Sequence, residues 1–114
     1  MDIIKETTNI LNSREVKEAL NEYINELVII LAEYKIKISE IWARICGLKT
    51  NEPEIAMLII CTHFPWNDTG YDIMRENREL LENIEQKHNL NYALTSNFDD
   101  IYNNINPYFI KIYK

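Results

Sequence analysis

Apolar residues recur at three- and four-residue steps from Ser13 to about Tyr34, through Val16, Leu20, Tyr23, Ile24, Leu27, Val28, Leu31 and Tyr34. That period predicts a helix with one buried face. Ser13 is a residue type that caps such a start. Ahead of it, Asp2 to Leu11 places Ile3, Thr7, Ile10 and Leu11 on one side, which predicts a shorter N-terminal helix.

From Lys35 the period becomes two: Ile36 and Ile38 alternate with polar residues, then Ile41, Ala43 and Ile45 alternate with Trp42, Arg44 and Cys46. The phase slips at Glu40, as at a β-bulge or a strand start. Turn residues fill Gly47 to Pro53, and Ile55 to Cys61 is apolar on both faces, the pattern of a covered central strand. These two strands should pair antiparallel. After an irregular stretch from His63 to Gly70, a helix is expected from Tyr71 to His88, with Ile73, Leu80, Leu81 and Ile84 inward. Arg75 with Glu79 and Arg78 with Glu82 stand at i,i+4 outside. Asn89 is a helix stop, and Asn91 to Ser96 reads as a third strand, parallel to the second across its helical connection. Ser96 would cap a short helix from Phe98 to Asn104, with Asp99 and Asp100 in its first turn. Beyond Pro107, Tyr108 to Tyr113 fits a short strand or a last helical turn. The expected fold class is α+β: a small mixed three- to four-stranded sheet with helices packed on it, in the order helix-strand-strand-helix-strand-helix.

Length and charge narrow the picture. A chain of 114 residues and 13.6 kDa suits a single domain over residues 1–114. A composition 46% hydrophobic and 26% charged belongs to a folded chain. The net charge of −6 argues against direct nucleic-acid binding, which rests on neutralising phosphates, and favours a protein or small-molecule partner. Neither a secretory signal nor an apolar run of the roughly 18 residues that a membrane span needs is present, so a cytoplasmic location is expected. Cys46 and Cys61 are expected to be reduced and to act as small apolar residues.

Several segments together carry a likeness. These are Ile41-Trp42-Ala43-Arg44-Ile45-Cys46-Gly47, Glu54-Ile55-Ala56-Met57-Leu58-Ile59-Ile60, Asn89 to Thr95, Phe98-Asp99-Asp100-Ile101-Tyr102, and Asn106-Pro107-Tyr108-Phe109. In order and layout, over most of residues 15 to 110, the chain resembles the minimal nucleotidyltransferases of the polymerase β superfamily. In that family a strand ends in Gly-Ser before a basic loop, and the next begins Asp-x-Asp. The resemblance implies two-metal nucleotidyl transfer, with carboxylates of two strands holding Mg²⁺. The departures point the other way. Trp42 and Ala43 stand at the Gly-Ser positions, Ala56 at the second acid, and Asn91 or Tyr92 at the third. Arg44 and Glu54 survive, and one carboxylate cannot bridge two cations. A shifted register would pair Glu52 with Glu54 across Pro53. The resemblance therefore implies a catalytically silent member.

Other groupings have bland readings beside functional ones. Cys61, His63 and Asp68 offer zinc-type ligands, but a fourth is not evident and the strand context favours packing. His88 near a helix C-terminus fits a dipole partner. Phe64, Trp66 and Tyr71 lie after the central strand, as a partner-binding edge or as a plug over the core. Glu15, Glu18, Glu22, Glu26 and Glu33 line the outer side of the first long helix, as a solvated face or a docking surface for a basic partner. No catalytic residue, metal ligand or cofactor is assigned. The leading expectation is a non-catalytic, antitoxin-like or regulatory protein that binds another protein. The alternatives are a divergent nucleotidyltransferase using Glu52, Glu54 and Mg²⁺, and a small acidic immunity or phage inhibitor of unrelated α+β fold.

Overall fold

The computed structural model describes residues 3–99 and 105–114. Helix α1 (Ile3–Leu11) leads into α2 (Arg14–Glu33). Ser13 stands at the N-cap of α2 in extended backbone conformation, but its hydroxyl donates back to the Ile10 carbonyl at 2.7 Å and does not cap α2. Helix α2 ends where Lys35 turns to a φ of 61°, so the strand expected from Lys35 begins only at Ile38.

Strands β1 (Ile38–Cys46) and β2 (Glu54–Cys61) pair antiparallel, with a register shift between Ile38 and Glu40 where the alternation slips. Helix α3 (Asp68–His88) starts three residues before the expected Tyr71, because the Asn67 side chain accepts from the Thr69 amide at 3.0 Å and so caps an earlier turn. Asn89, in left-handed conformation, ends α3. Strand β3 (Ala93–Asp99) then runs parallel to β2, and β4 (Ile110–Tyr113) pairs antiparallel with β1. Among the described residues the sheet order is β3-β2-β1-β4, an α+β fold of three helices and four strands.

The element order departs from expectation at its end. Phe98 and Asp99, assigned to a helix capped by Ser96, continue β3, because Phe98 is an inward-facing strand position stacked on Phe64. The rest of that expected helix, residues 100–104, lies outside the described residues. The segment after Pro107 resolves as the strand β4. On α3, Arg75 pairs with Asp72 at 3.4 Å, within its own first turns, in place of the anticipated Glu79.

All three helices lie on one face of the sheet. The pairs Ile41–Ile59, Ala43–Met57 and Ile45–Ile55 point into the core they share with Tyr23, Leu27, Leu31, Ile73 and Ile84. Leu58 and Ile60 are also buried, yet lie outside that cluster, on the opposite face of β2. Each fully buried Ile or Leu contributes about 1.5–3 kcal/mol. No helix among the described residues is long and apolar enough to cross a membrane.

Gly70 locks the start of α3 against the preceding loop: a Cβ there would stand 1.9 Å from the Pro65 carbonyl oxygen and 3.2 Å from the Phe64 ring. Gly70→Ala should therefore lower stability by about 1–3 kcal/mol, as overpacking does, read as a drop in the urea midpoint. An unchanged midpoint would contradict this close approach.

Candidate functional site

The sheet face away from the helices is where the expected site residues would meet. Reading across the strands there, Cys46, Glu54 and Ala93 form one row, Arg44, Ala56 and Thr95 the next, and Trp42, Leu58 and Asn97 the third. The residues facing Glu54 and Ala56 from β3 are thus Ala93 and Thr95, while Asn91 and Tyr92 precede the strand. Glu52 does not join Glu54. It is exposed in the turn before β2, where its amide donates to the Thr50 hydroxyl at 3.2 Å. Glu54 is the one carboxylate in these three rows, and the next row along the same face carries two, Glu40 and Asp99, on either side of Ile60.

Arg44 is half-buried beneath aromatic rings. Its guanidinium carbon lies 5.5 Å from the Tyr108 ring centre and 5.9 Å from that of Phe109, and its Nε is buried without a hydrogen-bond partner. Those aromatic faces offset the charge by cation–π attraction. Farther along, the Trp42 indole donates to Glu40 at 3.1 Å, and Lys111 reaches the same carboxylate at 3.4 Å. The Glu40 carboxylate is thus engaged by Trp42 and Lys111, and among the described residues no three His, Cys, Asp or Glu side chains cluster as a metal site. Cys61 is buried and His63 exposed at a φ of 61°, which separates the two candidate zinc ligands.

The acidic stripe of α2 is interrupted by partners. Glu15, Glu18 and Glu26 are exposed, Glu18 pairing with Arg14 at 3.1 Å. Glu22 is half-buried and accepts from Lys87 at 3.0 Å, with His88 at 3.3 Å. His88 thus ties α3 to α2 in addition to standing at a helix end. The Lys87 hydrogen bond, opposed by partial burial and assisted by His88, holds the Glu22 carboxyl below the usual range.

Of the aromatic loop, Phe64 is buried, stacked on Phe98 at 4.7 Å, and offers no surface to a partner. Trp66 leans on Phe64 at 4.7 Å with 58% of its surface exposed, and Tyr71 is 69% exposed. Trp66 also closes one end of a cleft of about 440 Å³ between α3 and β3. On the floor of that cleft lies a buried polar group absent from the expected site. The Tyr23 hydroxyl donates to Asn77 Oδ1 at 2.6 Å, Asn77 Nδ2 donates to Ser96 Oγ at 2.7 Å, and the two hydroxyls are 3.1 Å apart. Since Tyr23 commits its one proton to Asn77, Ser96 is the donor in the third contact. Burial pushes the Tyr23 phenol upward, against its two hydrogen bonds, and keeps it neutral. The ring contains no base that could activate Ser96, so it is a fastening of α2, α3 and β3. A signal was present in the sequence: Asn77 falls on the apolar stripe between Ile73 and Leu80.

Comparison with protein-family models, curated proteins and solved structures returns no match.

Tyr23→Phe leaves Asn77 Oδ1 unpaired in the interior and should cost about 1–3 kcal/mol. Tyr34→Phe, which removes a part-buried bond to Glu76 at 2.8 Å, should cost less. Chemical denaturation of the two variants ranks them directly. For Glu22, a depressed folded-state pKa gives stability that is present above the unfolded carboxylate value and lost as pH falls through the folded one. Glu22→Gln should accordingly lower Tm at neutral pH, and its difference from the unaltered protein should close as pH falls through the folded-state value.

Proposed function

We propose that this chain is a non-catalytic, nucleotidyltransferase-like protein that acts by binding another protein. The observation that carries the reading is the pair Trp66 and Tyr71. Two large aromatic side chains stand exposed where the loop that Phe64 anchors to the core enters α3, Trp66 in the loop and Tyr71 in the first turn of the helix, with Gly70 packed against Pro65 between them. Rigid, exposed aromatics lose little entropy on docking and dominate the energetics of protein interfaces. Tyr71 and Trp66 also border a small hollow of about 210 Å³ with Pro65, Asn67, Gly70 and Met74, a shape that receives a side chain.

Glu54 beside Ala56, Ala93 and Thr95, with no second carboxylate in its own row or the next two, supports the non-catalytic half of the reading. The exposed Glu15, Glu18 and Glu26 favour a partner with basic character at its margin.

Two measurements test the reading. Calorimetric titration of MgATP into the protein should give no saturable heat. Saturable binding that disappears in Glu54→Ala would overturn the non-catalytic assignment. Affinity purification from the native host should recover a protein partner at low salt, and Trp66→Ala with Tyr71→Ala should weaken its retention by about 30-fold, the equivalent of a 2 kcal/mol hot spot. A chain recovered alone at every salt concentration would sink the protein-binding half.

A further inference from the structure

Strand β3 is the outer strand of the sheet on its α3 side. Successive backbone groups of a strand alternate between its two neighbours. The Ala93 amide donates inward to the Pro53 carbonyl at 3.1 Å, so Leu94, Ser96 and Phe98 direct their N–H and C=O groups outward. The Leu94 amide is met there by the Glu85 carboxylate, which stands where a neighbouring strand would place a carbonyl oxygen. Along the rest of the edge, Ala93-Leu94-Thr95-Ser96-Asn97-Phe98 contains no charge and no proline, and its pairing with β2 shows no register shift. Sheet edges are ordinarily blunted by those features. Over these six residues this edge is unbroken and uncharged, and the strand's one charge is Asp99 at its end.

The helix beside it indicates what pairs. Arg75, Arg78, Glu82 and Glu85 recur on α3 at steps of three and four, so they share one narrow stripe, and the last three line the α3–β3 cleft. The stripe runs plus, plus, minus, minus, with Asp72 one step ahead of it and paired to Arg75 at 3.4 Å. A basic or an acidic partner would meet half of it with like charge. An antiparallel copy of the same helix meets all of it with opposite charge, Arg78 facing Glu82 and Arg75 facing Glu85 in both directions. The strand obeys the same symmetry. With a two-fold axis at Ser96, Leu94 faces Phe98 of the second copy on the helix side, and Thr95 faces Asn97 on the other. The levels agree, because Asn77 bonds Ser96 and Glu85 bonds Leu94, which sets the middle of the charged stripe beside Thr95 and Ser96.

We infer that the β3 edge and the Arg75–Glu85 stripe of α3 form a two-fold interface between two copies of this chain, which joins their sheets into one continuous sheet. Glu85 serves as a placeholder on the Leu94 amide and yields that position to Phe98 of the second copy. Tyr71 lies beyond the charged stretch, at the rim.

Sedimentation analysis of the full chain should give twice the 13.6 kDa chain mass. Arg78→Glu and Glu82→Arg should each sediment at the single-chain mass with unchanged far-UV circular dichroism. Mixed in equal amounts, they should recover the double mass as a heterodimer, since Glu at 78 then faces Arg at 82 in both directions. Asn97→Lys, on the strand, should also be monomeric and should not be rescued by either helix variant. A wild-type chain that stays monomeric at NMR concentrations would overturn the interface. So would a double-mass species that persists in every variant, or single-mass variants with native dichroism that fail to pair when mixed.

Discussion

The molecule depends on the coverage of β2, which has a neighbour on each edge and side chains packed on each face. Such a strand gains the most from burial but cannot set its own register, because apolar residues point both ways and a one-residue slip would cost it little. Register comes from β1. Its strict alternation puts Ile41, Ala43 and Ile45 against the helices and Trp42, Arg44 and Cys46 away from them. The bulge between Ile38 and Glu40 restores that phase after the α2–β1 turn. The apolar strand supplies the driving force, and its amphipathic neighbour supplies the alignment.

Hydrophobic contact has no direction, so the helices need something more specific to fix their positions on the sheet. The Tyr23–Asn77–Ser96 ring joins two helices and a strand through bonds that are met only in one arrangement. On the outer side, Glu22 with Lys87 and His88 repeats the α2–α3 connection in a solvated setting. One tie is buried and directional, the other exposed and dependent on pH.

Much of this was legible in the chain. Periodicity located α2, β1, β2 and α3, the slip at Glu40 marked the bulge, and Asn89 marked the helix end. What misled was local chemistry with two uses. Ser96 looks like a helix cap followed by acids, yet it lies within β3 because Leu94 and Phe98 on either side face the core, and tertiary burial outweighs a local capping preference. Asn67, in an irregular connection with one proline, caps α3 earlier than the apolar stripe begins. For the candidate site, Glu54 and Ala56 were readable as neighbours on the open face from the alternation of β2, whereas Asp99 joins that face only because β3 runs on to it. Which β3 residues face Glu54 was not readable, because that depends on a strand start at Ala93 that no sequence signal marks sharply. The fate of Phe64, buried while Trp66 two residues on is exposed, required the fold.

Gly70 joins these levels. The Pro65 carbonyl occupies the space of its absent side chain, so the loop doubles back tightly enough for Trp66 and Tyr71 to border one hollow. The spacing of that aromatic pair is thus set by an atom the chain lacks. Adding it would move the two rings apart while leaving the body of α3 to form as before, so the aromatic surface is more sensitive to change at this position than the fold that carries it.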